Sequence, residues 1–580
     1  MAMLILLVIL LPWIGALAVW LTADRTPEQP GWVALFFSAL AAVASLMLLF
    51  APTPLDFFIP VGGVFGDFTF HADGLGVFLT AVATLIGALA VVFSFDYMRG
   101  QAQLSRYYAF ILFFIGGMAG LVLANNLLLV FFFWEITALC SYALISFHND
   151  DPKAVAGGIK ALVMTQLGGV GLLIGALLLY SQTGSYDLQA FIRDPGVLST
   201  RLLSLMAYGF LAAAAAKSAQ FPFQTWLPDA MEAPSPISAL IHAATMVNAG
   251  VYLLARFYPA FESVAGWRVA VMLVGAISAL LAALMALTAF DLKRVLAYST
   301  VSQLGYMVYA VGAGGIFASQ FHLMSHSVFK ALLFLAAGAV IHAVGTRDMR
   351  QMGGLGRSMR LTQGVFLLGA MALAGLPILN GFWSKELVLE AGLQGGPIAL
   401  FTLMILTAGL TALYTFRCVW MVFFGDSQPG RHLHDAPVFM RWALLPLAGG
   451  TLFTTSLAGG FSRSLALTLP AHAVHAESTV HWLLEVVNAP ATYLALAVVL
   501  LGLTAWWQRE RLTVVAAWFG WARRAAENTF GFDALNTALV GQIHRVSEIL
   551  RMTQTGYINW NAVGITLGLV GLLILLAVFG

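Results

Sequence analysis

The chain has 580 residues, of which 60% are hydrophobic and 9% charged, whereas an ordinary soluble domain is about 45–50% apolar and about 25% charged. That balance excludes a water-soluble globule. The 28 basic and 26 acidic residues leave a formal net charge of +2, so no overall field recruits nucleic acid or an acidic partner. Cys140 and Cys418 are the two cysteines, each inside an apolar run and far apart, which supports neither a disulfide framework nor a thiolate metal or iron–sulfur site. There is no GxxxxGK[ST] phosphate loop, and Gly168, Gly169, Gly171 and Gly175 lie within one apolar run, where they read as helix-packing glycines. No cofactor is expected in this chain, and any redox chemistry should belong to other chains.

A bilayer-spanning helix takes about 20 apolar residues. Runs of that kind fall near 2–21, 31–51, 73–95, 107–124, 126–147, 158–180, 201–221, 235–258, 268–290, 296–315, 318–343, 361–391, 397–423, 439–459, 487–507 and 561–579. They predict an all-α polytopic membrane protein of about sixteen transmembrane helices. The first run follows no basic segment and is expected to stay as a helix. An even count puts both termini on one side. With the termini outside, Arg25, Arg99, Lys153, Arg294, Arg347, Arg360, Arg431, Arg511 and most other basic residues fall in cytoplasmic loops, and the opposite loops hold only Arg193, Arg201, Arg268 and Arg463. The positive-inside rule then orients the chain in a prokaryotic inner membrane with both termini on the outer side.

Two segments depart from the simple pattern. Residues 52–72 place aromatic and β-branched residues around Gly62 and Gly63, which predicts a small hairpin on the outer surface. Ahead of the last span, Leu535, Leu539, Ile543, Val546 and Leu550 recur at steps of three and four, the stripe of an amphipathic lateral helix lying on the membrane surface or along neighbouring subunits.

Only six lysines occur, and Lys217, Lys330 and Lys385 fall inside predicted spans together with Glu135, while Lys160 is near the start of another. Each central charge costs about 2.5–3.5 kcal/mol on insertion scales, so the four oppose insertion by roughly 10–14 kcal/mol. Lysine is informative there because a desolvated ammonium can lose its proton and a guanidinium effectively cannot. Lys217 precedes Pro222 and Pro228, and Lys385 follows Pro377, Asn380 and Gly381. Two Pro-broken helices carrying lysines suggest two related halves and an ion pathway. Between them His322, His326 and Lys330 stand at i, i+4 and i+8, one helix face covering about 12 Å of depth. His242, with Thr245 and Asn248 nearby, adds another buried imidazole. The set reads as a proton relay; zinc is the weaker alternative, lacking a third ligand. Two loop groups, His472, His475 and His481 near Glu477, and His432 with His434 and Asp435, are metal candidates on composition alone.

The stretches KSAQFPFQTWLPDAMEAPSPISALIHAATMVNAGVYLLAR and SHSVFKALLFLAAGAVIHAVGTRD resemble the proton-translocating antiporter-type subunits, a family that includes subunit L of bacterial respiratory complex I and the large subunit of Mrp-type cation/proton antiporters. The resemblance is strong over roughly residues 60–425. It implies N-terminal helices with the hairpin (1–106), two inverted five-helix repeats (107–258 and 268–423), additional helices (424–507), a lateral segment (508–560) and a last transmembrane helix (561–580). It also implies Glu135 and Lys217 as a coupled acid–lysine pair, His242, His322, His326 and Lys330 as the central relay, and Lys385 as the lysine of the outlet half-channel. L-type subunits typically carry Arg and Asp on the helix after the acidic one, where this chain has Gln166 and Gly169. The expected role is a non-catalytic proton-pumping subunit of a NADH-quinone oxidoreductase-type translocase. A Na⁺/H⁺ antiporter subunit, a proton-driven inorganic-carbon uptake subunit and a passive scaffold are the alternatives. The expected partners are other membrane subunits, the lipid bilayer, H⁺ and, in the antiporter case, Na⁺.

Overall fold

The computed structural model describes residues 1–22, 26, 28–426 and 434–552. Arg25, Arg431, His432, the end of the predicted lateral segment and the predicted last span lie outside the described residues.

The chain opens with two apolar helices, α1 (Met3–Thr22) and α2 (Gln29–Leu49). The expected hairpin follows as β1 (Leu55–Ile59) and β2 (Phe68–Ala72), antiparallel with Phe57 opposite Phe70. Polar residues at the starts of the next helices supply their first N–H groups with acceptors. Asp73 caps α3 (Gly74–Tyr97), Asn126 caps α5 (Leu127–Ile145) after α4 (Leu104–Leu123), and Asp151 precedes Pro152 at the start of α6 (Pro152–Thr183). A short α7 (Leu188–Arg193) leads to α8 (Thr200–Lys217), α9 (Trp226–Asp229), α10 (Ser235–Ala239) and α11 (Asn248–Phe261). Then come α12 (Trp267–Thr288), α13 (Leu292–Ala313), α14 (Ile316–Val344), α15 (Arg360–Ala374), α16 (Asn380–Gly395) and α17 (Ile398–Val419). The first compact unit closes with α18 (Val438–Phe453), α19 (Ala458–Thr468), α20 (Thr479–Asn488), α21 (Pro490–Trp507) and α22 (Thr513–Trp518).

Twelve helical segments among the described residues are long and apolar enough to cross a membrane. Of the other predicted runs, 201–221 corresponds to α8, 296–315 to α13, and 361–391 to two helices, α15 and α16, because the chain breaks between Gly375 and Leu379. The protein is a polytopic all-α membrane protein. The second unit, from Phe519, contains α23 (Gly520–Glu527) and α24 (Phe532–Met552). The stripe predicted for a lateral helix lies on α24, where Leu535, Leu539, Ile543 and Val546 are exposed.

Glycines let helix backbones meet. A Cβ on Gly275 would stand 2.5 Å from the carbonyl oxygen of Gly305, and one on Gly171 would stand 2.3 Å from that of Gly209, so α12–α13 and α6–α8 pack backbone to backbone. Gly168 and Gly175 instead leave room for the side chains of Ala216 and Phe210 on α8. Gly169 differs again: its open side faces the carboxyl of Glu135.

At the hairpin end of the bundle, the guanidinium of Arg256 grips both carboxyl oxygens of Asp73 and donates from Nε to the Tyr252 hydroxyl at 3.2 Å, which in turn donates to the Val122 carbonyl at 2.9 Å. The cluster joins α3, α4 and α11, and both charged residues are buried. Leaving one charge of such a pair unmatched costs about 3–5 kcal/mol, whereas removing both is often close to neutral. Arg256→Met is therefore expected to lower the thermal unfolding temperature of the detergent-solubilised protein, and the double variant Arg256→Met with Asp73→Asn to recover most of that loss. Equal transitions for the single and double variants would show that the charge pairing contributes nothing.

Candidate functional site

Lys217 is the last residue of α8. The chain cannot continue as a helix because Pro222 offers no N–H, and Ala219 turns back at φ +51°. The carbonyls exposed at this break are taken up locally: Gln220 N–H donates to Ala215 at 2.7 Å and the Trp226 indole N–H to Ala216 at 2.9 Å. Lys217 is fully buried, and its ammonium donates to the Trp134 carbonyl at 2.7 Å and lies 4.8 Å from the centre of the Trp134 ring. Glu135 is the next residue on α5 and is half-buried. Its Oε1 occupies the room that a Cβ on Gly169 would take, at 2.6 Å, and its Oε2 is buried without a protein partner. The acid and the lysine thus feel each other electrostatically while the ammonium bonds to a neutral carbonyl.

His242 sits in a π-helical turn, Leu240–Ala244, between α10 and α11. Such turns leave carbonyls unpaired and recur at functional sites. Here Thr245 Oγ1 donates to Leu240 at 2.6 Å and Asn248 Nδ2 to Ala243 at 2.9 Å. Both ring nitrogens of His242 are buried without a protein partner, and so are both of His326.

The predicted stripe His322, His326 and Lys330 lies on α14, every member fully buried. Its members do not bond to one another. The His322 and His326 ring centres are 6.5 Å apart, and Lys330 donates to the Ser299 hydroxyl of α13. A small, mostly apolar cavity of about 10 Å³, lined by Val295, Leu333 and Phe366 as well as Ser299 and Tyr414, adjoins that hydroxyl. His322 bridges three helices, with Nδ1 2.9 Å from Ser384 Oγ and Nε2 3.0 Å from Gln303 Oε1. Because the Ser384 hydroxyl already donates to the Asn380 carbonyl at 2.8 Å, it must accept from Nδ1–H of His322. Turning the Gln303 amide over gives its orphaned Nε2 a partner and makes His322 a neutral Nδ1–H tautomer.

Lys385 is on α16, just beyond the break that opens at Gly375, where φ is +79°. Its buried ammonium donates to the Ala374 carbonyl at 2.8 Å and lies where a Cβ on Gly375 would have to go. That carbonyl ends α15, at the negative pole of the helix. Glu386 and Glu390 are also buried on α16; the sequence signal for them is an acidic i, i+4 pair inside a predicted span, which the expected site does not include. Gln303, Ser384 and Ser299 are likewise outside it, because small polar residues in spans carry no distinctive signal.

The described members of the loop groups make local contacts. Asp435 accepts from the Leu361 and Thr362 N–H groups at 2.7 and 3.2 Å and so caps α15. His472 is buried against the Ala255 carbonyl at 2.9 Å, and His481 Nδ1 lies 3.6 Å from Glu477.

Residues 124–411 match the family described as NADH:quinone oxidoreductase/Mrp antiporter, TM, and residues 58–108 match the N-terminal segment of complex I chain 5. Subunit L of the NADH-quinone oxidoreductase of Mycobacterium tuberculosis is 40% identical over 458 residues, 77% of this chain and 71% of that protein. Chain 5 of the NAD(P)H-quinone oxidoreductase of Synechocystis sp. is 43% identical over 392 residues; the match takes in 65% of this chain and 57% of that protein's length. Among solved structures, the Mrp complex of Dietzia sp. contains a chain that superposes with a TM-score of 0.84 at 30% identity, covering 99% of this chain and 63% of that one.

The packing of Glu135 against Gly169 is directly testable. Gly169→Val should displace the carboxyl and lower proton flux in membrane vesicles as much as Glu135→Gln does, at unchanged protein yield. Wild-type flux in Gly169→Val would show that the position of this carboxyl against α6 is immaterial.

Proposed function

Because the chain belongs to the family of NADH-quinone oxidoreductase subunit L and the Mrp-type antiporter subunits, we propose that it is a proton-translocating membrane subunit of a complex I-like assembly. The observation that carries this reading is the set of buried lysines, Lys217, Lys330 and Lys385, each held by a neutral acceptor. A scaffold would gain nothing from charges that oppose insertion this strongly. Residues 107–258 and 268–423 are read as the two inverted repeats, each with its broken helix.

The drive lies in the Glu135–Lys217 interaction. At an effective dielectric of about 20 and a separation of about 4–8 Å, one unit charge changes the energy of another by about 2–4 kcal/mol, roughly thirty- to a thousandfold in the protonation equilibrium of Lys217. Withdrawing or neutralising Glu135 therefore releases a proton from Lys217. His242 and His326, whose ring nitrogens have no protein partners, and the neutral tautomer of His322 can each accept on one nitrogen and donate from the other. Bridging waters, which buried polar groups of this kind ordinarily hold, link them to Lys330 and onward to Lys385. Both termini and the hairpin face are assigned to the outer side by the distribution of basic loop residues.

The partners are other membrane subunits of a multi-subunit complex, and electron transfer is assigned to those chains; no cofactor is assigned to this one. Half-burial of Glu135 on the bundle surface fits control by an adjoining subunit. The Mrp-type reading stands second, favoured by the likeness to the Dietzia complex.

Lys217→Ala is expected to reduce NADH-driven acidification of inverted vesicles at least tenfold while the protein level stays normal. Wild-type acidification in that variant would refute the mechanism. Purification in mild detergent separates the hosts: copurifying flavin and iron–sulfur chains mark the oxidoreductase, and small membrane subunits with sodium-dependent proton exchange mark the antiporter.

A further inference from the structure

Glu386, Glu390 and Gln394 recur at i, i+4 and i+8 on α16, one helix face about 12 Å long that runs from the broken start of the helix toward its C-terminal end. Glu386 is 1% exposed and Glu390 8%. Each keeps its Oε2 buried without a protein partner, while Oε1 of Glu390 accepts from Gln394 Nε2 at 2.8 Å. Carboxyls are expensive to bury in this way, and nothing in the path from Lys217 to Lys385 requires them.

Beyond the end of this face lies α20, which packs on α16 and is anchored by Trp482 stacked on Phe317 at 4.2 Å. Glu485 of α20 is half-buried and within electrostatic reach of Glu390 on α16, of His481 on its own helix and of Glu477 in the preceding loop. The segment before α20 belongs to the hairpin face, since Thr468 at the end of α19 accepts at 2.8 Å from the N–H of Gly74, two residues after β2.

We propose that Glu386, Glu390 and Glu485 form an exit ladder that carries protons from Lys385 to the hairpin face, where His481 and Glu477 pass them to water. The proposal rests on the proton-translocation reading above and adds its terminal segment. Lys385 gives one proton to the Glu386 carboxylate, which passes it through bridging water to Glu390 and then to Glu485. Each transfer leaves a carboxylate behind, and the last one protonates water at the surface. Burial pushes the Glu485 carboxyl above its usual range; His481 pulls it down, and Glu390 and Glu477 push it further up. A carboxyl near the surface is thereby able to hold a proton before releasing it.

The test uses Glu390→Gln, Glu485→Gln and Glu390→Asp in the intact complex in inverted vesicles, alongside Lys217→Ala, with protein levels checked by immunoblot. Each Gln variant should pump about tenfold more slowly, and Glu390→Asp should keep at least half the wild-type rate. Acidifying the hairpin side should slow the wild type, and Glu485→Gln should lose part of that dependence. If Glu390→Gln fails to assemble, the half-buried Glu485 position carries the test. Wild-type rates in the Gln variants, or slowing with an unchanged pH dependence on the hairpin side, overturn the ladder. Unaffected Gln variants beside an inactive Lys217→Ala remove the ladder alone. Slowed Gln variants beside an active Lys217→Ala keep the ladder and remove the Glu135–Lys217 drive.

Discussion

A cation buried in this bundle must find a lone pair; three of the lysines find theirs on the backbone, and Lys330 finds its own on the Ser299 hydroxyl. Lys217 donates to Trp134, Lys293 to Ala233 at 2.5 Å, and Lys385 to Ala374. A carbonyl solvates an ammonium without neutralising it, so the proton is stabilised but not locked. The contrast is Arg256 with Asp73, where a guanidinium that cannot deprotonate meets a full carboxylate in a fork of hydrogen bonds. One kind of cation holds helices together and the other is available to titrate.

The helix breaks follow from the same requirement. A continuous helix uses its carbonyls internally, so an acceptor for a buried ammonium has to come from a helix end or from one already shared. Ala374 ends α15, and Ala233 lies in the turn before α10. The Trp134 carbonyl also accepts from the Thr137 hydroxyl at 2.8 Å. The helix boundaries thus supply the acceptors of Lys385 and Lys293, while Lys217 and Lys330 use a carbonyl of α5 and a hydroxyl of α13, inside continuous helices. Gly375 serves twice: its positive φ turns the chain after α15, and its missing side chain leaves room for the Lys385 ammonium.

The π-helical turn at His242 solves a related problem. Inserting a residue into a helix leaves carbonyls over, and Thr245 and Asn248 donate to two of them, so the imidazole is left with both nitrogens open. Were those side chains apolar, the turn would carry unpaired carbonyls in an apolar interior, at a cost comparable to that of a lost hydrogen bond.

The sequence alone determined the membrane class, most of the spans, the hairpin at 52–72 and part of the buried charge set, because apolar run length and the cost of a central charge are local properties readable without a fold. It marked Glu135, Lys217, His242, His322, His326, Lys330 and Lys385 for the same reason. Tertiary structure decided what each of them touches: Lys217 meets Trp134 rather than Glu135, His322 reaches Gln303 and Ser384 on two other helices, and Lys330 meets Ser299 rather than a histidine. It also divided the run at 361–391 into two helices and brought α20 up to the acidic face of α16. Such contacts join residues tens to hundreds of positions apart, and they are set by how helices pack, which no local pattern encodes.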